Sequence, residues 1–339
     1  MLLAGVLVLG GSLFLRAVRT LDEPLALRAP LRFVVPAGVS FAHVANQLAI
    51  QGVVRDARAW TLYARYEHLA QAVKAGEYEI QPGTTPRELL AKMVSGQVLL
   101  HAFTIIDGWR VADMLEALKR APDIATTLPA GSPAVVAAAL MDKLGLPGVD
   151  PEGQFLPETY TFIGGTPDIE VLRQAHAALQ RELESTWSGR DTSVPLHDAK
   201  ELLVMASIIQ KESGLPQELP KIAGLYLHRL AIGMRLQADP TVIYGLGERY
   251  DGDIRTVDLR TDTPYNTYTR SGLPPGPISL PGAAVLHATA HPEKTDALYF
   301  VASTRGDGSS VFSATLEQHN AAVAALVAHQ KKAAQGGAK

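Results

Sequence analysis

Three times between residues 31 and 121 the chain repeats one short pattern: a strand, a tight turn and an amphipathic helix. "LRFVVPAGVSFAHVANQLAIQG" (31–52) turns at Pro36-Ala37-Gly38. "AGEYEIQPGTTPRELLAKMVSGQ" (75–97) turns at Gln81-Pro82-Gly83, and its helix is opened by Thr84 or Thr85 with Pro86 in the first turn. "HAFTIIDGWRVADMLEALKRA" (101–121) turns at Asp107-Gly108. A further helical stretch is expected over 56–74. Units this small cannot bury an apolar face alone, so they must pack on one another. A region of this kind points to α+β architecture.

From residue 151 the pattern changes. "TPDIEVLRQAHAALQRELESTW" (166–187) sets Leu172, Ala175, Leu179, Leu183 and Trp187 on one helical face, with Thr166 read as N-cap and Pro167 as the first helical residue. Helices over 198–212 and about 217–232 follow. Residues 235–281 read as loop, crowded with Gly, Pro, Thr and Asp. "LYFVAS" (298–303) and "SSVFSA" (309–314) read as a hairpin, and a helix over 316–330 opens on the capping box Thr315…Gln318. The resulting plan has a membrane anchor at 1–20, a linker at 21–30, and a strand–turn–helix module at 31–121. A connector at 122–150 leads to a mostly helical second domain with a small sheet at 151–330, and a flexible tail takes up 331–339.

The anchor rests on "LLAGVLVLGGSLFL" (2–15), which is uncharged and is followed by Arg16 and Arg19. Spanning a bilayer takes about 20 residues, so the span would have to run through Ala17, Val18 and Leu21 with both arginines snorkelling. A basic flank and a small-x-small cleavage site, the marks of a signal peptide, are not visible. The net charge of −3 gives no basic surface for nucleic acid. The absence of cysteine excludes disulfides, thiolate catalysis and Cys-ligated zinc.

Chemistry concentrates at "VMASIIQKESG" (204–214). Counting back from Glu212, the residues on its helical face are Ile209, Ile208 and Met205. A carboxylate ending an apolar stripe, beside the negative end of the helix dipole, is pushed toward its protonated form. A glutamic acid held protonated near neutrality is what general acid catalysis on a glycosidic oxygen requires. The simpler alternative is a solvated helix end, or a pair with Arg229 or Arg235. Downstream, 229–283 carries Tyr244, Tyr250, Tyr265 and Tyr268 together with Gln237, Asn266 and Thr267. Aromatic faces and planar amides suit a sugar ring. Asp239, in "QADPT", is the nearest rival carboxylate, although Asp before Pro also opens turns. Ser213, Gln237, Asp239, Tyr244, Tyr265, Asn266, Thr267 and Tyr268 are therefore candidate substrate-binding residues. Gly272-Leu273-Pro274-Pro275-Gly276 reads as a rigid cleft wall. "HATAH" (287–291) lacks the glutamate of a zinc helix, so no metal site is expected. Lys211 points about 100° away from Glu212 on the helix and has no phosphate cradle nearby, which disfavours a pyridoxal-phosphate lyase.

The blocks "ASIIQKES", "RLAIGMRLQADPTVIYGLG", "DTPYNTYTRSGLPPGPIS" and "AHPEKTDALYFVAS", with "EGQFLPETYTF" (152–162) before them, closely resemble the endolytic murein transglycosylases, the MltG or YceG-like family. The resemblance is dense over 151–325 and looser back to residue 31. It implies a single-pass inner-membrane anchor, a LysM-like module, and a catalytic domain on the periplasmic or extracytoplasmic side, acting on peptidoglycan glycan strands. It places the catalytic glutamate at Glu212, whereas the first glutamate of the family's frequent E-K-E is Gln210 here. It also implies a lyase that cuts between N-acetylmuramic acid and N-acetylglucosamine, leaves 1,6-anhydro ends and needs no cofactor, with cell-wall synthases as candidate partners. The competing readings are a membrane-anchored glycan-binding scaffold without catalysis, and a hydrolytic muramidase.

Overall fold

The computed structural model describes residues 19–212 and 215–336. The proposed anchor lies outside these residues except for its last two positions, as does Ser213. Among the described residues no helix is long and apolar enough to cross a membrane. The fold is α+β, with two compact units.

Among the described residues, the first unit comprises the chain through Ala102 together with 123–125 and 161–166. Strand β1 (Leu31–Val35) leads to helix α1 (Phe41–Ile50), capped where Ser40 Oγ accepts the His43 amide at 3.3 Å. Helix α2 (Ala57–Tyr66) is capped by Asp56, which accepts the amides of Arg58 and Ala59. It ends earlier than the expected 74, because the chain turns through a left-handed residue at His68, φ 58°. Strand β2 (Gly76–Ile80) pairs antiparallel with β1, placing Phe33 opposite Tyr78 with both buried. Helix α3 (Pro86–Ser95) opens on a reciprocal box in which Thr85 and Glu88 cap each other, so Thr85 rather than Thr84 is the N-cap. The core centres on Trp60, whose ring meets Phe41 edge-on at 4.8 Å, with Tyr78, Leu89 and Met93 fully buried beside it.

Strand β3 (Leu100–Thr104) begins the third repeat, whose helix α4 (Val111–Lys119) falls in the second unit rather than extending the first. Helix α5 (Pro133–Leu144) occupies the expected connector. Strand β4 (Thr159–Ile163) pairs with β3. Helix α6 (Asp168–Gly189) starts two residues after the expected cap: Thr166 and Pro167 form a two-residue strand instead. The Asp168 carboxylate explains the start, because it accepts its neighbour's amide from Ile169 and those of Thr127 and Leu128.

Helix α7 (Ala199–Glu212) is the hub of the second unit, with every residue from Leu202 to Ile209 buried. Helix α8 (Leu219–Ala231) packs beside it. Gly224 is required there, because a Cβ would fall 2.1 Å from the Glu293 carbonyl oxygen. The expected loop 235–281 contains two short helices, α9 (Asp239–Leu246) and α10 (Thr256–Arg260), which its Gly and Pro content disguised. Helix α11 (Ala283–Ala290) rests on α6, α7 and α8. The hairpin forms as read: β5 (Tyr299–Ala302) pairs antiparallel with β6 (Ser310–Ser313). Helix α12 (Leu316–Gly336) opens on the Thr315–Gln318 box and continues to Gly336 through "KKAAQ", a stretch of good helix formers expected to fray.

Ser207 anchors the region behind the site. Buried in α7, it accepts the Ile278 amide through Oγ at 3.0 Å, while its carbonyl accepts Ser279 Oγ at 2.9 Å. Gln210 accepts the Gly282 amide at 3.0 Å. These bonds tie 278–282 to the side of α7 away from the Glu212 stripe. Ser207→Ala should cost about 1–3 kcal/mol in urea denaturation, because it leaves a buried amide unpaired.

Candidate active site

Glu212 ends α7 on one wall of a cavity of about 500 Å³. The Tyr226 hydroxyl, fully buried on α8, donates to Glu212 Oε1 at 2.7 Å. One helical turn on, Arg229 is also buried. It is spent on the backbone, donating through Nε to the Leu298 carbonyl at 2.7 Å and through Nη1 to that of Leu236. Its charge therefore reaches Glu212 only at range.

Burial is the dominant influence on the Glu212 carboxyl and raises it from 4.5 to about 7. The Tyr226 hydrogen bond opposes that shift, Asp239 adds to it, and Arg229 opposes it. The buried stripe of Met205, Ile208 and Ile209 supplies the apolar side of this environment. The result is an acid poised between its charged and neutral forms near neutral pH.

Three of the other candidates meet Glu212 in the same cavity: Gln237, Asp239 and Tyr268. The Tyr268 hydroxyl donates to Asp239 Oδ1 at 2.5 Å. Gln237 holds a left-handed backbone, φ 50°, which a non-glycine residue rarely adopts, and its amide is fixed to the Thr267 carbonyl at 3.2 Å. Such strain gathers at sites where geometry is over-determined by the surroundings.

The remaining candidates sit elsewhere. Asn266 is buried and donates to the carbonyls of Asp258, Leu259 and Thr261, so its amide closes a loop. Thr267 is also buried, accepting the Ala238 amide at 3.0 Å and bonding Thr241 at 2.9 Å. It positions the segment carrying Gln237 and Asp239. Tyr244 and Tyr265 face each other at 4.7 Å, with the Tyr244 hydroxyl 3.5 Å from Glu152. Gly272 to Pro275 line separate cavities of about 720 and 300 Å³ and do not wall the one at Glu212. The larger of these contains none of the candidate residues. Lys211 donates to the Gly108 carbonyl at 3.2 Å. Among the described residues no cluster of three or more His, Cys, Asp or Glu could hold a metal ion.

Sequence reasoning passed over Tyr226, Tyr299, Phe300 and His319, all of which line the cavity. Tyr226 had a legible signal, since it lies one turn before Arg229 on an apolar helix and its hydroxyl had to find a partner. Glu152 was quoted only as part of a motif. It is buried, accepts the Val111 amide at 3.1 Å, and is raised by desolvation to about 7.

The residues that line this cavity fall within a stretch that matches known proteins. The YceG-like family matches residues 33–325. The endolytic murein transglycosylase of Bacillus subtilis is 30% identical over 340 residues, covering 93% of this chain and 90% of the relative. That of Streptococcus pneumoniae is 26% identical, covering 86% of this chain and 57% of the relative. A solved yceG-like protein of Listeria monocytogenes aligns with a TM-score of 0.51 at 29% identity, over 87% of this chain and 99% of that one. With the match running from β1 through the start of α12, the chain belongs to the YceG-like family.

Proposed function

We propose that this protein is an endolytic murein transglycosylase, cleaving peptidoglycan between N-acetylmuramic acid and N-acetylglucosamine with Glu212 as its single general acid and base. The observation that carries the reading is the Glu212 carboxyl, set in a 500 Å³ cavity and raised to about 7 by burial. Tyr226 donates to Oε1, which leaves Oε2 to present the proton. Glu212 protonates the bridging oxygen as the bond to the muramyl C1 breaks. The ionised carboxylate then takes the proton of the muramyl 6-hydroxyl, whose oxygen closes on C1 as a 1,6-anhydro ring. Each proton given is recovered, and no water is consumed. By the same reading residues 1–20 anchor the chain in the cytoplasmic membrane. The first unit serves as a LysM-like module, and both units lie on the extracytoplasmic side, where glycan strands and their synthases are.

Hydrolysis is a second reading with one observation in its favour: Asp239 shares the cavity and could serve as a second carboxylate. Product chemistry separates the two. Mass spectrometry of products from defined uncrosslinked glycan should find 1,6-anhydro ends. Reducing ends would support the muramidase, and intact strands would support a binding scaffold.

The pH dependence tests the acid. Activity should fall as pH rises above about 7, where Glu212 loses its proton. Tyr226→Phe removes a hydrogen bond that favours the ionised form. Its high-pH limb should therefore move to higher pH, as read from kcat/KM profiles. A shift in the opposite direction would contradict the role given to Tyr226.

A further inference from the structure

The cavity lining mixes polar groups, among them Glu212, Gln237, Asp239 and Tyr268, with apolar ones. The apolar part comprises the half-buried side chains of Phe300, Val301 and Val323 and Leu316, which is 54% exposed. Leu316, His319 and Val323 fall at i, i+3 and i+7 of α12, so one face of the C-terminal helix forms part of the cavity lining. A cavity lined by both polar and apolar groups suits a pyranose, which has C–H faces and a hydroxyl edge.

His319 is a lining residue whose ring nitrogen finds no structural explanation. Its ring stacks on Tyr299 with centroids 5.3 Å apart and planes 24° apart. The Arg229 guanidinium also lies over Tyr299, at 5.3 Å, so the tyrosine already carries two neighbours. His319 Nδ1 is buried without a hydrogen-bond partner, so no protein bond through that nitrogen accounts for an imidazole here. All three members of the Arg229–Tyr299–His319 stack line the cavity, with the imidazole at one end.

We propose that His319, backed by Tyr299, is a sugar-ring platform that positions one N-acetylated amino-sugar residue of the glycan against Glu212, making the C-terminal helix part of the substrate cleft. This rests on the reading of the cavity as a glycan site. The platform acts by its face, so an aromatic ring should replace it and a methyl group should not. His319 is a positioning residue and carries no proton in the reaction.

The test uses the full chain in a Glu212→Gln background, so that ligand is bound but not consumed. The ligand is a tetrasaccharide of alternating N-acetylglucosamine and N-acetylmuramic acid, titrated by calorimetry. Adding His319→Ala should raise Kd about five- to tenfold, the worth of one aromatic contact. Adding His319→Phe should leave it within about twofold. A structural role alone would lower the melting temperature without separating the two variants in affinity. Equal Kd for His319→Ala and the Glu212→Gln parent overturns the platform, as does a phenylalanine variant as weak as the alanine one. If the folded parent binds no saccharide, the glycan reading fails and the platform fails with it.

Discussion

Glu212→Gln should lower the release of anhydro ends by about three orders of magnitude while the protein stays folded. General acid–base catalysis by a placed side chain is worth roughly 10²–10⁴-fold, and here one carboxyl would serve both proton transfers. Glutamine keeps the shape and can still accept the Tyr226 hydroxyl, but it has no proton to give at these pH values. The loss should appear in kcat, because both proton transfers belong to the reaction and not to binding. Product release at the parent rate from purified variant would remove Glu212 from the chemistry. A drop of only a few-fold would point to Asp239, the other carboxylate in the cavity.

The second large effect concerns stability. Glu152 and Glu212 are both raised by burial to about 7 from an ordinary 4.5. Between those values the folded chain holds protons that the unfolded chain has released. The contribution of these two carboxyls to folding stability is therefore fullest below about pH 4.5, declines as pH rises, and levels off above about 7. A shift of that size corresponds to about 3 kcal/mol per carboxyl as an upper figure. Glu152→Gln should remove its share of the slope: the variant gains on the parent at pH 8 and matches it near pH 4.5. The amide oxygen can still accept the Val111 amide that Glu152 now holds at 3.1 Å. Urea denaturation at pH 5 and pH 8 reads this directly, and an unchanged pH slope in the variant would refute the burial account of Glu152.

The sequence was informative where one local rule acted alone. The Thr315–Gln318 box, the β5–β6 hairpin and the apolar stripe under Glu212 each follow from short-range chemistry and were readable in advance, whereas the choice of Thr85 over Thr84 as cap came with the Glu88 box of the folded chain. Other features depended on partners distant in sequence. Asp168 sets the start of α6 because it accepts amides from Thr127 and Leu128, some 40 residues away, and Thr166 lost the cap for that reason. The candidate residues divided in the same way. Gln237, Asp239 and Tyr268 reach the cavity, whereas Asn266 and Thr267 are used up holding the loops that place them. Tyr244 and Tyr265 gather at Glu152 instead. Composition indicated which residue types a sugar site would use, but the hydrogen bonds of the folded chain determine which of them remain available. The Tyr299–His319 stack was not legible, because its members come from a hairpin and a helix that meet only in the tertiary structure.

The central claim is that Glu212 keeps its proton up to neutral pH. A carbon-13 NMR titration of glutamate-labelled protein, with Glu212 assigned by difference against Glu212→Gln, measures that property directly. A midpoint near 7 is the result expected here. A midpoint near 4.5, the ordinary value for a solvated carboxyl, would show Glu212 ionised throughout the working range and would contradict its role as the acid.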